Sequence, residues 1–217
     1  LRLQAHLNNA QRPVRYRNVW VAPLDQTATT PGPTIDLFDG ESLDGWVVNG
    51  GRGEFAVRDG EIVGTAVPNS GGNTFLVTQQ AYRDFELTYE IHSTSLNSGV
   101  QIRSHVDGGL SNRTGLIRGY QVEADPTARR SSGGLFDQSR RGWLNPLIEK
   151  PYARRAWKKG KWNQITVVAR GPVIQTCGNG VPATHVLDAV TAEGHFGLQV
   201  HSVGDRADRP EVRFRNI

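Results

Sequence analysis

The run Phe85-Glu86-Leu87-Thr88-Tyr89-Glu90-Ile91-His92 alternates throughout: Phe85, Leu87, Tyr89 and Ile91 are apolar, and Glu86, Thr88, Glu90 and His92 are polar. Successive side chains on a strand point to opposite faces, so this stretch predicts an antiparallel strand with one buried face and one wetted face. The same period continues outward along the chain. Asp59-Gly60, set between Phe55-Ala56-Val57 and Ile62-Val63, is a strong hairpin signal because both turn residues tolerate positive φ. Further strands are predicted at 74–78, 99–105, 119–125, 162–169, 173–176, 195–201 and 211–217. Many short strands separated by Gly, Pro, Asn and Asp turns make an all-β domain of two packed sheets or a barrel. Residues 126–161 show no strand alternation and are too many for an ordinary connection. Trp143, Tyr152 and Trp157 within them call for partial burial, hence an ordered functional loop with room for a short helix.

Composition narrows the function classes. A hydrophobic fraction of 37% with 25 glycines fits a loop-rich globule, and no apolar run approaches the ~20 residues of a membrane helix. The single cysteine, Cys177, has no partner for an internal disulfide and reads as structurally incidental. Net charge is +4, but residues 126–161 hold ten basic residues against two acids, a local +8 that leaves −4 elsewhere. No recognition-helix pattern, zinc-finger spacing or aromatic RNA-binding signature accompanies that charge, so nucleic acid is not an expected partner. A solvated basic loop, or a rim that holds a polar ligand, accounts for it.

The two ends of the chain resemble each other. Leu3-Gln4-x-His6 followed by Val14-Arg15-Tyr16-Arg17-Asn18 is echoed by Leu198-Gln199-x-His201 followed by Val212-Arg213-Phe214-Arg215-Asn216. The expectation is that residues 1–24 are a C-terminal strand remnant of an upstream domain of the same kind, a partner of the present domain. A Thr- and Pro-rich linker would occupy 25–33 and the complete domain 34–217. The absence of methionine fits a piece of a longer product. Residues 1–24, with apolar positions needing cover, are expected to keep strand character.

Three strands have an unusual polar side. Gln101, Arg103 and His105 oppose Val100 and Ile102; Gln121, Glu123 and Asp125 oppose Tyr120, Val122 and Ala124; Gln199 and His201 oppose Phe196, Leu198 and Val200. The outer face of any sandwich is polar, but solvated faces favour Lys, Thr and Ser. Gln, His, Arg, Glu and Asp give directional hydrogen bonds and proton transfer, so this face is the candidate ligand site. His105, Glu123 and His201 are N/O donors, yet no ligand spacing announces a metal, and neither metal nor cofactor is expected. No dinucleotide fingerprint in a strand-to-helix context, zinc-protease motif or nucleophile elbow is present.

Several segments resemble one known family. Leu37-Phe38-Asp39-Gly40 with Leu43-Asp44-Gly45-Trp46, Leu96-Asn97-Ser98-Gly99-Val100-Gln101-Ile102-Arg103, Gly119-Tyr120-Gln121-Val122-Glu123, Gly160-Lys161-Trp162-Asn163, Asn179-Gly180-Val181-Pro182 and Gly197-Leu198-Gln199-Val200-His201 occur in order. Together they are similar to the 3-keto-disaccharide hydrolases, formerly a domain of unknown function, over residues 35–217. Cys177-Gly178 departs from the aromatic-apolar pair usual before Asn-Gly, which weakens that hairpin. The resemblance implies a concanavalin A-like jelly-roll β-sandwich of two antiparallel sheets, with a sugar site on the concave sheet. It also implies a bacterial, exported (periplasmic or extracellular), often multidomain parent.

The chemistry it implies is cleavage of glycosides oxidised at C3, distinct from two-carboxylate glycosidase chemistry. The keto group acidifies C2–H; a base removes it, donors hold the enolate, an acid helps the aglycone leave C1, and water adds. Carried over residue by residue, Glu123 and His201 form the acid/base pair, and Arg103 stabilises the enolate or holds hydroxyls. Gln121, Asp125 and Gln199 bind hydroxyls; the polar strand face itself adds Gln101 and His105 as substrate-binding candidates, and Trp143 of the 126–161 segment stacks on a sugar ring or fills the core. The alternative is a non-catalytic carbohydrate-binding module, since fold alone does not set function.

Overall fold

The computed structural model describes residues 32–217, and residues 35–217 form one compact unit. The expectations for residues 1–24 and most of the linker fall outside the described residues. Fourteen strands and one short helix follow in chain order: β1 (Trp46–Gly50), β2 (Glu54–Arg58), β3 (Glu61–Thr65), β4 (Thr74–Tyr82), β5 (Phe85–Ser93), β6 (Ser98–Val106), β7 (Ile117–Ala124), β8 (Leu135–Gln138), β9 (Gly142–Asn145), α1 (Pro151–Ala156), β10 (Trp162–Arg170), β11 (Val173–Gly178), β12 (Val181–Leu187), β13 (Gly194–Val200) and β14 (Glu211–Arg215). They form two seven-stranded antiparallel sheets, ordered β1-β4-β13-β6-β7-β8-β9 and β12-β11-β10-β5-β14-β3-β2.

Strand alternation dictates how the sheets pack. Leu87, Tyr89 and Ile91 on β5, with Ile165 and Val167 on β10 and Val212 and Phe214 on β14, turn inward from the second sheet. Leu76, Val100, Ile102, Tyr120, Val122 and Leu198 meet them from the first. The result is a jelly-roll β-sandwich with one continuous core. Asp59 at φ 52 and Gly60 at φ 73 make the expected β2–β3 turn. Asn179 and Gly180 adopt the same left-handed pair, and the β11–β12 hairpin closes with Cys177 opposite Pro182 despite the Cys177-Gly178 departure.

The long basic segment is ordered but is not one loop. Residues 135–138 and 142–145 pair as β8 and β9 and extend the first sheet beyond β7, and α1 follows. These strands are four residues each, too short to show a period against the surrounding turns.

A larger correction lies in β6. Ile102 pairs with Tyr120, but the next pair is His105 with Arg118, so one extra residue is inserted on β6. This bulge, with Arg103 at φ 47, shifts the alternation of everything after Ile102. Gly119 on the facing strand makes room for it: a Cβ there would lie 2.1 Å from Ser104 Oγ.

Candidate functional site

The outer face of the first sheet carries a polar cluster that is buried although no second sheet covers it. Gln101, Gln121, Glu123 and Gln199 are all under 5% exposed. Their strands make this possible. Gln101 pairs with Gln121 across β6 and β7, Gly197 on β13 lies beside Gln101, and Gly99 lies opposite Glu123. A Cβ at Gly99 would come within 2.8 Å of the Gln121 side chain, so the glycine is what lets that amide lie along the sheet.

Hydrogen bonds run through the cluster in one direction. Ser104 Oγ donates to Gln101 Oε1 (2.8 Å), Gln101 Nε2 donates to Gln121 Oε1 (2.7 Å), and Gln121 Nε2 donates to Glu123 Oε2 (2.9 Å). Gln121 Nε2 also reaches Gln199 Oε1 at 3.3 Å. Two more donors meet at Glu123 Oε1: Asn97 Nδ2 at 2.6 Å and Arg129 Nη2 at 2.7 Å. Burial pushes the Glu123 carboxyl above the ordinary carboxylate range; Asn97, Gln121 and Arg129 pull it down without cancelling that effect, and Asp125 adds to the rise.

Arg129 is held from the other side by Asp125. Asp125 is fully buried, and its oxygens accept from Thr127 Oγ1 (2.6 Å), the Thr127 amide (3.0 Å), Arg129 Nε (2.8 Å) and the Ser131 amide (3.3 Å). Burial raises its pKa, yet Thr127 and Arg129 outweigh this and the carboxyl ends below its usual value. Asp125 therefore organises its loop and aims Arg129, instead of facing a ligand as expected. The Arg129 guanidinium lies 5.3 Å from the Trp143 ring centroid, and Trp143 stands edge-on to Phe136, its β8 partner. Arg129 thus bonds Glu123 while lying over the Trp143 ring.

His201 follows β13 directly and is half-buried. Its Nδ1 lies 2.6 Å from the Ser202 carbonyl. A carbonyl only accepts, so Nδ1 carries the proton and Nε2 is left for other work. Leu198 pairs with Val100, and continuing that register brings His201 level with Asn97. Two strand spacings, about 10 Å in all, separate β13 from β7, with Asn97 between His201 and Glu123.

Two expected members leave the group. The bulge turns Arg103 to the seam between the sheets, where it is fully buried and donates to the Arg83 carbonyl (2.8 Å), the Gly171 carbonyl (2.7 Å) and Asp84 (3.0 Å). His105, exposed near the end of β6, sits opposite Arg118 and 6.5 Å from His195, beyond the bulge that separates it from Gln101. Among the described residues no three His, Cys, Asp or Glu side chains come together as a metal-binding group. Ser104 takes the place that uninterrupted alternation assigns to Arg103. Asn97 and Arg129 complete the site: Asn97 stood in a recognised motif before Gly99, whereas nothing local distinguishes Arg129 from its basic neighbours.

Beside the cluster, a cavity of about 880 Å³ opens against Phe75, Ile117, Arg113, Gln138 and Asn73, touching none of Glu123, Gln121, Gln199 and His201. Phe75 is the β4 partner of Gln199, so the cavity shares the sheet with the cluster.

Residues 33–217 match the 3-keto-alpha-glucoside-1,2-lyase-like domain. No curated protein matches the chain significantly. Among solved structures, the carbohydrate-binding module CBM66 from Bacillus subtilis is 16% identical, with a TM-score of 0.51 over 79% of this chain and 92% of that one. A Bacillus subtilis protein of unknown function with a galectin-like fold is 12% identical, with a TM-score of 0.54 over 80% of this chain and 87% of that one. At these identities the likeness is one of fold.

Proposed function

The chain belongs to the 3-keto-alpha-glucoside-1,2-lyase-like domain family, and from that premise we propose that it cleaves 3-keto-glycosides on the open face of its first sheet. The observation that carries the reading is Glu123: a carboxylate almost wholly out of water, gripped by Asn97, Gln121 and Arg129, with its pKa raised by burial. A solvated strand residue needs no such support. A carboxylate with a raised pKa is a stronger base than one in water.

In this reading Glu123 takes the C2 proton of a sugar already oxidised at C3, and the electron pair moves into the C3 carbonyl as an enolate. Arg129, with one nitrogen on Glu123 and another on Asp125, is the cation nearest the reacting centre and stabilises the developing oxyanion. The enolate then collapses: the C3 carbonyl re-forms, C1 and C2 become doubly bonded, and the aglycone leaves C1 with the Nε2 proton of His201 in its imidazolium form, whose Nδ1 proton stays hydrogen-bonded to the Ser202 carbonyl. Water added across that double bond turns elimination into net hydrolysis. In the same reading Asn97 and Gln199 hold sugar hydroxyls beside Glu123, a role supported by their bonds to Glu123 and Gln121.

The test is turnover of a 3-keto-glucoside by Glu123→Gln and His201→Ala, with folding followed by thermal melts. Each variant is expected to lose on the order of a hundredfold to ten-thousandfold in rate, while Glu123→Gln still binds the sugar. Near wild-type turnover by both would end the acid/base assignment. Good sugar binding with no turnover of any keto-sugar by the wild type would make the domain a binding module.

A further inference from the structure

Apart from Arg129, the loop after β7 and the segment around α1 carry positive charge that neither the sandwich nor the proposed reaction uses. Of the 17 arginines among the described residues, 11 lie within ion-pair distance of a carboxylate. Three of the remaining six, Arg130, Arg154 and Arg155, gather around one cavity of about 560 Å³ with Lys159 and Trp157. A shallower extension continues over Ala128 and Pro151. The one acid on the wall is Asp125, whose oxygens are taken by Thr127, Arg129 and Ser131.

Two buried N–H groups on the same wall are also unpartnered. Arg154 gives Nη2 to the Arg129 carbonyl, but its buried Nε–H has no acceptor, nor does the buried indole N–H of Trp157. Guanidinium, ammonium and indole groups are donors only. The cavity thus concentrates cations and N–H groups with no protein acceptor to match, and planar guanidinium forks suit oxyanions. Its volume falls in the range of roughly 300–1,000 Å³ common for small-molecule sites.

We propose that this cavity is an anion site that takes a sulfate, phosphate or carboxylate group, free or carried on a sugar. The inference stands apart from the cleavage reaction, and binding alone reads it.

The experiment is calorimetric titration of the full chain with sodium sulfate, with glucuronate and with glucose, at one ionic strength set with sodium chloride. Sulfate and glucuronate should bind and glucose should not. Glucuronate binding more tightly than sulfate identifies an anionic sugar as the source, and the reverse order identifies the free ion. The double variant Arg130→Gln/Arg155→Gln, at two exposed side chains, should weaken anion binding by at least about tenfold. If that variant melts early, Lys159→Gln alone should weaken binding roughly threefold. No binding of either anion above the chloride background, or unchanged affinity in the folded variants, would overturn the proposal.

Discussion

At Arg103 the backbone turns to φ 47, and the residue inserted there carries the guanidinium from the face of Glu123 to the β4–β5 connection. Burial lowers its pKa while Asp84 opposes that, but an arginine stays charged in either case. With three bonds and no exposure, its work is to tie the Arg83-Asp84 connection, where the chain passes from one sheet to the other, to Gly171 in the β10–β11 hairpin. Arg103→Ala is therefore expected to cost roughly 2–4 kcal/mol of stability, measured by urea unfolding, with turnover by the folded fraction unchanged. Lysine should restore only part of the loss, since one ammonium cannot reproduce the fork. A variant of wild-type stability with abolished turnover would return Arg103 to the catalytic group.

The element that decides the site's electrostatics is the loop from Asp125 to Ser132, closed by Ser132 Oγ on the Asp125 amide (2.8 Å) and by the Asp125 carboxylate on its own loop. It delivers Arg129 to Glu123, and β8 and β9 behind it deliver Trp143. The pH dependence follows from the signs. Glu123 acts as a base only when ionised, and its pKa lies above the ordinary carboxylate range, so kcat/KM should fall with falling pH already above that range. Arg129 favours the ionised form and holds that pKa down. In Arg129→Gln the acid limb should move to higher pH, and kcat/KM at low pH should drop more than at high pH. A limb that stays in place would mean that Arg129 does not act on the titrating group.

Across the described residues, the two sheets close on a largely apolar core that Tyr89 and Tyr120 enter, and the Tyr120 hydroxyl is bonded to Asp188. The Tyr89 hydroxyl is fully buried without a partner, and burial pushes its pKa far up. An unpartnered buried hydroxyl costs free energy, so Tyr89→Phe is expected to stabilise the sandwich by about 1 kcal/mol, seen as a higher urea midpoint with an unchanged slope. A lower midpoint would show that the hydroxyl contributes a bond the native fold needs.

The sequence alone carried the all-β class, the buried sides of β5, β7 and β13 and the Asp59-Gly60 turn, because period-two alternation and turn chemistry are local, and its ordered motifs carried the resemblance to the family. It also brought out Gln101, Gln121, Glu123, Gln199 and His201, all on strands, or the end of a strand, whose alternation runs unbroken up to them. Four strands stayed hidden: β8 and β9 are too short for a period, and β1 and β12 lack clear alternation. Packing between strands set the rest: the polar face is buried, Ser104 and not Arg103 joins it, and Arg129 grips Glu123. The bulge exists because Gly119 on another strand leaves room for Ser104, and Arg129 reaches Glu123 because Asp125 folds the loop back. Both depend on contacts between segments that no single stretch of chain encodes.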